Sequence, residues 1–401
     1  MPGVNEKLKK RQFIGVGAFN ISPLEKKYVN DALDHNRLSY GPYTRRFEKA
    51  FARAHHVQYA LFCNSGTSAL QVALHALKEK YGWPDGAEVL VPAVTFVASV
   101  NVILQNRLKP VLVDVDPVYF EIDSEEAKRK MTKKTVAIMP VHLCGLPCHM
   151  DKLMRIKNQY GLKMIEDSCE TMFARFKGKP VGSFGEVGCF STYAAHILIT
   201  GVGGFCTTND AELAVFIKSL YNHGRDGIYT NPDDTRHKNL KEMFSVIDRR
   251  FNFLYPGYSY RATELESALG LGQMRRWRQI IAARKRNARL LTRGLKRFKQ
   301  YLQLPKKRKG AEHAYMMYPL VVKESVDRDD LVLFLEKNGI ETRYLLPLTN
   351  QHVYEKMWGK IEDKYPVAKY INHNGFYIGC HQELTKDHID YIIDVFRRYF
   401  S

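Results

Sequence analysis

The chain has 401 residues, of which 45% are hydrophobic and 26% charged, a composition typical of a globular protein with two domains and not of a disordered or fibrous one. It contains no uninterrupted apolar run long enough for a membrane-spanning helix. An excess of 61 Lys and Arg over 42 Asp and Glu gives a formal net charge of +19, which favours an anionic partner without choosing among nucleic acid, a nucleotide and an acidic metabolite.

The start of the chain and its cysteines indicate the compartment. Residues 1–10 have no apolar core, so they are not expected to form a secretory signal. The seven cysteines are odd in number and scattered over a long chain, which is typical of reduced thiols and not of a disulfide framework. Both features predict a cytoplasmic protein.

The first 255 residues alternate helix-forming stretches with short apolar strands. Helices are predicted within residues 22–55, around a turn at 39–42, and in the segment that follows Asn64. Buried strands are predicted at residues 89–93, 111–116, 136–141 and 164–167. This alternation implies an α/β fold with a largely parallel sheet covered on both faces, and functional residues at the carboxyl ends of its strands.

The pattern changes near residue 256, which predicts a large domain over residues 1–255 and a smaller α+β domain over 256–401. A long helix is expected over residues 263–297, with a break near Gly294. A strand at 315–322 and helices at 327–338 and 385–399 are predicted after it.

Fifteen basic residues and no acidic residue lie between Arg275 and Lys309. We interpret this stretch as a solvated helix face followed by a basic loop at residues 305–309. Nucleic-acid binding is the less favoured alternative, because no recognised nucleic-acid module accompanies the stretch.

Three short features point to a bound anion and a planar ring. Gly66, Thr67 and Ser68 begin a predicted helix, where glycine permits close approach to the backbone and free N–H groups can bind an anion. Asp167 ends a predicted strand, where a carboxylate can hold a protonated ring nitrogen, and Phe96 follows another, where its ring can stack on a planar cofactor. Taken singly, a helix cap, a surface carboxylate and a core aromatic are the ordinary alternatives.

Taken together, the ordered motifs resemble the DegT-type sugar aminotransferases, vitamin B6 enzymes of fold type I. The resemblance covers nearly the whole chain and is carried by residues 39–48, 64–70, 92–99, 141–151, 166–170, 191–210 and 257–265. It implies a large domain with a mixed, mostly parallel sheet, a smaller C-terminal α+β domain, and pyridoxal phosphate as the cofactor.

The resemblance also implies roles for individual residues. The phosphate-holding, ring-stacking and nitrogen-binding positions of the family are matched by Gly66, Thr67, Ser191 and the neighbouring Ser68, by Phe96, and by Asp167, respectively. Glu170 belongs to the Asp167 motif and is expected at the cofactor. A second subunit completes the pocket in this family, so a homodimer is implied. Ser259 takes the position where the partner commonly supplies an asparagine.

The decisive departure is His196, five residues after Ser191, where the aminotransferases carry the lysine that holds the cofactor covalently. Imidazole cannot form that stable bond, so pyridoxal or pyridoxamine phosphate is expected to be held non-covalently. Histidine titrates near neutral pH, so His196 can still take up and return protons. Nothing in the sequence explains why Val202 replaces the family's usual glutamate.

Histidine at this position is similar to a branch of the family, the sugar 3-dehydratases of the colitose and ascarylose pathways. The branch implies removal of the C3 hydroxyl of an NDP-4-keto-6-deoxyhexose, with L-glutamate as amino donor and 2-oxoglutarate as its product. Residues 166–170 and 375–385 resemble the branch as well. No cysteine lies between Cys206 and Cys380, which argues against an ascarylose-type iron–sulfur cluster and favours the colitose type. No metal site is expected.

Other interpretations stay open. The same pocket could serve transamination or epimerisation of an NDP-ketosugar, and His196 could be a substitution introduced into a true aminotransferase. A non-catalytic cofactor-binding protein is a third possibility, in which the basic stretch would contact nucleic acid.

Overall fold

A seven-stranded sheet and a four-stranded sheet organise the chain in the computed structural model. The structure describes residues 13–226, 239–249, 251–346 and 348–401. The prediction about residues 1–10 therefore lies outside the described residues. Within these ranges, no helix is both long enough and apolar enough to cross a membrane.

The larger sheet is mixed and mostly parallel, as predicted. The first nine strands are β1 (Tyr59–Cys63), β2 (Glu88–Pro92), β3 (Lys109–Val113), β4 (Thr135–Ile138), β5 (Lys163–Asp167), β6 (Arg175–Phe176), β7 (Lys179–Pro180), β8 (Val187–Ser191) and β9 (Gly204–Thr208). The sheet order is β1-β9-β8-β5-β4-β2-β3, while β6 and β7 form a separate hairpin. β9 runs antiparallel to β1 and β8, and the other neighbouring pairs are parallel.

The strands predicted from apolar runs are confirmed within a few residues, but β1, β8 and β9 were not predicted. β8 and β9 carry glycine, serine or threonine among their apolar residues, so no continuous hydrophobic run marks them. All five residues of each are nevertheless buried, because the sheet is covered on both faces.

Ten helices of the described chain precede the smaller sheet. They are α1 (Pro23–Asp34), α2 (Pro42–Ala54), α3 (Gly66–Tyr81), α4 (Val97–Gln105), α5 (Ser124–Lys130), α6 (Met150–Tyr160), α7 (Ala211–Leu220), α8 (Leu240–Arg249), α9 (Glu264–Met274) and α10 (Trp277–Leu295). Local sequence sets several starts, since Ser22 and Thr263 each form a capping box with the glutamate three residues on.

The long helix expected over residues 263–297 is two α-helices, and the predicted break near Gly294 matches the end of α10 at Leu295, where a 3-10 turn at Lys296–Phe298 follows. The chain turns at Arg275 and Arg276, between α9 and α10. Gly294 stays inside α10 because it packs closely: a Cβ there would lie 2.2 Å from a methyl carbon of Ile393. Glycine at this position therefore also serves close packing.

The smaller sheet is antiparallel, with the order β10-β11-β13-β12. Its strands are β10 (Leu302–Gln303), β11 (Met317–Val322), β12 (Thr342–Tyr344) and β13 (Gly375–Gly379). Its helices are α11 (Arg328–Lys337), α12 (His352–Trp358), α13 (Pro366–Asn374) and α14 (Lys386–Tyr399). The predicted strand at 315–322 and helices at 327–338 and 385–399 are confirmed.

One apolar core of the large sheet and the core under the small sheet meet along α10, and a third core lies on the other face of the large sheet. The core under the small sheet begins at Ala288 in the middle of α10 and also includes Ile14 from the start of the described chain. α9, by contrast, packs on α1 and α2, where Gly270 lies against the ring of Phe47. The domain boundary at residues 255 and 256 stays a prediction, and α10 connects the two cores.

Candidate active site

Four of the predicted site residues meet at the carboxyl edge of the large sheet. Gly66 follows β1, Phe96 follows β2, Asp167 ends β5 and Ser191 ends β8. These four strands are parallel to one another, so their ends lie along one edge. A Cβ built on Gly66 would lie 2.6 Å from the Cβ of Ser191, so the start of α3 approaches the end of β8 as closely as only glycine allows.

The N-terminus of α3 leaves two backbone N–H groups available. Ser65 caps the helix, its Oγ accepting from the N–H of Ser68 at 3.0 Å and donating to the Ser68 hydroxyl at 2.9 Å. The N–H groups of Gly66 and Thr67 have no acceptor among the described residues. Thr67 is exposed, so its hydroxyl adds a third donor. This arrangement suits a phosphate group.

Asp167 is a buried carboxylate with two hydrogen bonds. Its Oδ2 accepts from Ser99 Oγ at 2.7 Å, and its Oδ1 accepts from the backbone N–H of Cys169 at 3.1 Å. Ser99 also bonds the Thr95 hydroxyl at 2.8 Å. Sequence reasoning missed Ser99, although it lies three residues after Phe96 on the first turn of α4, where a hydroxyl faces the same edge.

Phe96 is 58% exposed, which excludes the core position that was the ordinary alternative for this residue. It precedes α4 without capping it through its side chain. Tyr354 holds the start of α4, its hydroxyl donating to Asn101 Oδ1 at 2.7 Å and to the Val97 carbonyl at 3.2 Å. An aromatic ring is thus kept exposed at a fixed strand end, as ring stacking requires.

His196 is partly exposed, and its hydrogen bond defines the free ring nitrogen. Its Nδ1 lies 2.7 Å from the carbonyl oxygen of Cys169, which can only accept, so Nδ1 carries a hydrogen. In the neutral ring, Nε2 then keeps its lone pair, and the backbone of Ser191 is a second hydrogen-bonding neighbour of the ring. Burial is the main reason that the His196 pKa is lowered to about 4, and Arg284 acts in the same direction.

Two residues beyond the predicted set hold the loop of His196, which connects β8 to β9. Gln273 of α9 bonds both polar groups of Ile199, accepting from its N–H at 3.0 Å and donating to its carbonyl. Arg284 of α10 donates to the His196 carbonyl at 3.3 Å. Arg284 could have been found as a charged residue in the apolar stripe of α10, which includes Ile280, Ala288 and Leu291.

Glu170 and Ser259 are less closely linked to this group. Glu170 Oε2 accepts from the backbone N–H of Cys144 at 2.8 Å. Burial raises the pKa of Glu170 to about 7, and the charge of Asp167 adds to the shift. Ser259 is exposed in a segment that pairs with Asn222, and no hydrogen bond joins its side chain to the other site residues of the described chain.

The neighbour of Asp167 on β5 faces a different environment, here named the carboxylate cage. Glu166 is fully buried and accepts backbone N–H groups from Gly182, Phe184 and Gly185 at 2.6–2.8 Å. His142 Nε2 lies 3.1 Å from the same carboxylate. All of these contacts are internal, so Glu166 stabilises the fold, whereas Asp167 on the alternate face meets the site.

The residues present fit a phosphate-bearing pyridine ring. Two free N–H groups, an exposed aromatic face and a buried carboxylate supply an anion site, a stacking surface and a partner for a ring nitrogen. All seven cysteines carry free thiols. Among the residues that the structure describes, no group of three or more His, Cys, Asp or Glu is arranged to hold a metal ion.

Known proteins resemble the chain over nearly its full length. A model of the DegT/DnrJ/EryC1/StrS aminotransferase family matches residues 20–397. The GDP-perosamine synthase of Caulobacter vibrioides is 33% identical over 384 residues, covering 95% of this chain and 96% of that protein. The GDP-4-keto-6-deoxy-D-mannose 3-dehydratase of Escherichia coli O55:H7 is 29% identical over 381 residues, covering 93% of this chain and 97% of that protein.

A solved structure adds to these likenesses. It is the E. coli GDP-4-keto-6-deoxy-D-mannose-3-dehydratase with bound hydrated PLP, and it matches this chain with a TM-score of 0.85 at 27% identity. The match covers 95% of this chain and 98% of that chain.

Proposed function

The chain belongs to the DegT/DnrJ/EryC1/StrS aminotransferase family, and we propose that within it the protein is a 3-dehydratase of an NDP-4-keto-6-deoxyhexose. Membership gives it the fold of the type I vitamin B6 enzymes, a pyridoxal phosphate cofactor, and an activity that modifies nucleotide sugars. Dehydration at C3, as distinct from transamination, is the finer step that we propose.

We assign the cofactor to the edge of the large sheet. The N–H groups of Gly66 and Thr67, with the hydroxyls of Thr67, Ser68 and Ser191, would hold its phosphate. Ser191 Oγ accepts from the Tyr193 N–H at 3.3 Å, which leaves its own proton to donate. Phe96 would stack on the ring, Asp167 would bind the ring nitrogen, and Glu170 would lie close to Asp167. When bound, the pyridinium ring supplies an electron sink.

His196 carries the proposal, because it stands where the family's aminotransferases hold their cofactor through a lysine. Its Nε2 would take up a proton from carbon and return it to the departing hydroxyl oxygen, while Nδ1 stays bonded to the Cys169 carbonyl. Burial lowers the pKa of His196 to about 4, so the ring is neutral at cellular pH and has a lone pair for a proton, although the lower pKa also makes it a weaker base. Without a lysine, the non-covalent contacts would alone retain the cofactor.

The overall reaction balances with L-glutamate as reductant. The C3 hydroxyl is replaced by hydrogen, and the two reducing equivalents come from glutamate, which leaves as 2-oxoglutarate and ammonia. The relatives named GDP-4-keto-6-deoxy-D-mannose 3-dehydratase support this chemistry, and a neighbouring dehydratase was solved with a trapped PLP-glutamate geminal diamine. The net positive charge of the chain suits a nucleoside diphosphate.

The test is product analysis. The purified protein is mixed with pyridoxal phosphate, L-glutamate and a panel of NDP-4-keto-6-deoxyhexoses, and the sugars are examined by mass spectrometry. We expect net loss of one oxygen from one sugar, with equimolar formation of 2-oxoglutarate and ammonia. Replacement of the ketone oxygen by an amino group would instead make the protein an aminotransferase, the activity named for its GDP-perosamine synthase relatives.

Replacement of the proton carrier gives a second test. In His196→Lys we expect a covalent link to the cofactor, seen by borohydride reduction and mass spectrometry, together with loss of dehydration. Retention of full dehydratase activity in His196→Lys would contradict the role of the imidazole.

We also propose that the protein acts as a homodimer. Ser259 is exposed in one chain, and apolar side chains on and after α8 are exposed as well, including Phe244, Phe251 and Phe253. A second copy would cover such surface. Light scattering coupled to size-exclusion chromatography tests this, and a monomer that retains full activity would overturn it.

A further inference from the structure

Arg284 is a buried cation without a counter-charge among the described residues. It is 1% exposed in the middle of α10. Its Nη1 donates to the carbonyls of Met316 at 2.7 Å and Tyr315 at 3.3 Å, and its Nη2 donates to that of His196 at 3.3 Å. Within the described residues no carboxylate lies within 4.0 Å of its guanidinium. Three neutral carbonyls from two distant segments therefore bind one positive charge.

A charge buried in this way is costly, and it persists here beside two imidazoles. Burial lowers the pKa of Arg284 to about 10, so it is still charged at neutral pH. His381 is 4% exposed, and neither of its ring nitrogens has a partner among the described residues. Burial, followed by the charge of Arg284, lowers the His381 pKa to about 4. Arg284, His196 and His381 are thus three basic side chains that together carry a single positive charge at neutral pH.

We propose that Arg284 is a positioning residue for dehydration, which holds the loop of His196 and keeps that imidazole in its neutral, proton-accepting form. The inference rests on the proposed role of His196 as the base. The hydrogen bond from Arg284 to the His196 carbonyl, here called the tether, fixes the backbone of His196. The Cys169 carbonyl fixes Nδ1 of its ring. The buried charge opposes a second positive charge on the ring.

Other ionisable groups surround the imidazole without replacing Arg284. Tyr193 of the same loop has its ring centroid 6.3 Å away. Asp167 ends β5, and Cys169 and Glu170 follow it. Burial raises the pKa of the Cys169 thiol, so that it stays neutral. Arg284 is thus the cation from α10 whose charge lowers the pKa of His196, in addition to the larger effect of burial.

Gln273 supplies a matched control. It grips the same loop at Ile199, but it is uncharged. Gln273→Leu removes hydrogen bonds to the loop without changing any charge. Arg284→Met removes both the hydrogen bond to the loop and the buried positive charge. Arg284→Lys keeps the charge and removes the planar fork.

The experiment titrates His196 directly. The protein is labelled with ¹³C at histidine Cε1, and its pH titration is followed by NMR before and after addition of pyridoxal phosphate. His196→Asn identifies the His196 resonance. We expect the His196 titration to move to higher pH in Arg284→Met, and to stay near that of the unaltered protein in Gln273→Leu and Arg284→Lys. kcat with the sugar substrate should fall about 10- to 100-fold in both Arg284→Met and Gln273→Leu, with little change in KM.

The outcomes separate this inference from the proposed function. An unchanged His196 titration in a folded Arg284→Met protein overturns the electrostatic role. An unchanged kcat in that variant, alongside active unaltered enzyme, overturns the positioning role. If no sugar is dehydrated by any form, the proposed function fails, while the NMR titration still decides whether Arg284 keeps the imidazole neutral.

Discussion

The carboxylate cage and the loop of His196 lie at the same sheet edge, yet they use histidine in opposite ways. In the cage, His142 Nδ1 accepts from the Cys148 N–H at 3.0 Å, so Nε2 carries the hydrogen that is donated to Glu166 at 3.1 Å. In the loop, His196 Nδ1 donates to the Cys169 carbonyl, which leaves the lone pair of the neutral ring on Nε2. One ring has both nitrogens committed to the fold, and the other keeps one nitrogen for proton exchange.

The difference teaches that the partners of the ring nitrogens, and not the residue type, separate a structural histidine from a reactive one. The two regions should therefore respond to mutation in opposite ways: the loop should lose activity and keep its stability, and the cage should lose stability.

Removal of the free nitrogen is expected to have the largest effect. In His196→Asn, the side-chain amide can still donate to the Cys169 carbonyl, but nothing replaces Nε2. We expect kcat for sugar conversion to fall about 100- to 10,000-fold, while the free energy of unfolding changes by less than about 1 kcal/mol. Steady-state kinetics and urea denaturation measure the two quantities. A stability loss as large as that of a cage variant would erase the contrast between the regions.

Breaking the cage should unfold the protein before it affects chemistry. Glu166→Gln places an amide NH₂ against N–H donors of the cage, of which Gly182, Phe184 and Gly185 contribute three. We expect a loss of about 3–5 kcal/mol in the free energy of unfolding. Asp123→Asn, at the partly exposed N-cap of α5, serves as the control and should cost less than about 0.5 kcal/mol. Equal losses of unfolding free energy in Glu166→Gln and Asp123→Asn would show that the cage contributes no more to stability than an ordinary helix cap.

Glu170 lies between the two regions, and its charge should make stability depend on pH. Burial raises its pKa from 4.5 to about 7. Between these pH values, the folded protein therefore keeps a proton that the unfolded chain has released. Stability should therefore be full below pH 4.5 and be lost as the pH rises through 7. Relative to the unaltered protein, Glu170→Gln should gain about 2–3 kcal/mol between pH 4.5 and pH 8. Denaturant titrations at these two pH values measure the gain, and a difference that does not change with pH would refute the assignment.

The smallest expected effect is on cofactor affinity. A Cβ at residue 66 would lie 2.6 Å from Ser191 Cβ and 2.9 Å from Cys169 Sγ, so Gly66→Ala should displace the first turn of α3. We expect pyridoxal phosphate to bind about 10- to 100-fold more weakly, measured by fluorescence titration. In Gly86→Ala the new methyl group meets open space, so this variant should lower stability through its positive φ but leave affinity unchanged. Unchanged affinity in Gly66→Ala would place the phosphate elsewhere.

The elements with a local signal were predictable. Apolar runs marked the strands that end near Phe96 and at Asp167, and small residues marked the start of α3, because both patterns report only on neighbours along the chain. β9 escaped prediction because a glycine and two threonines leave it only two apolar residues in a row. The break between α9 and α10 also escaped, because Arg275 and Arg276 stand there and no glycine or proline marks it.

The sequence by itself determined the family, the strand ends and the exchange of lysine for His196, since each depends on residue types in a fixed order. Only the tertiary structure decided which ring nitrogen of His196 is free, that Ser99 supports Asp167, and that Gln273 and Arg284 hold the loop. These partners come from residues 27 to 88 positions away in the chain. Hydrogen-bond direction and buried charge depend on distances that folding creates, and no local pattern carries them.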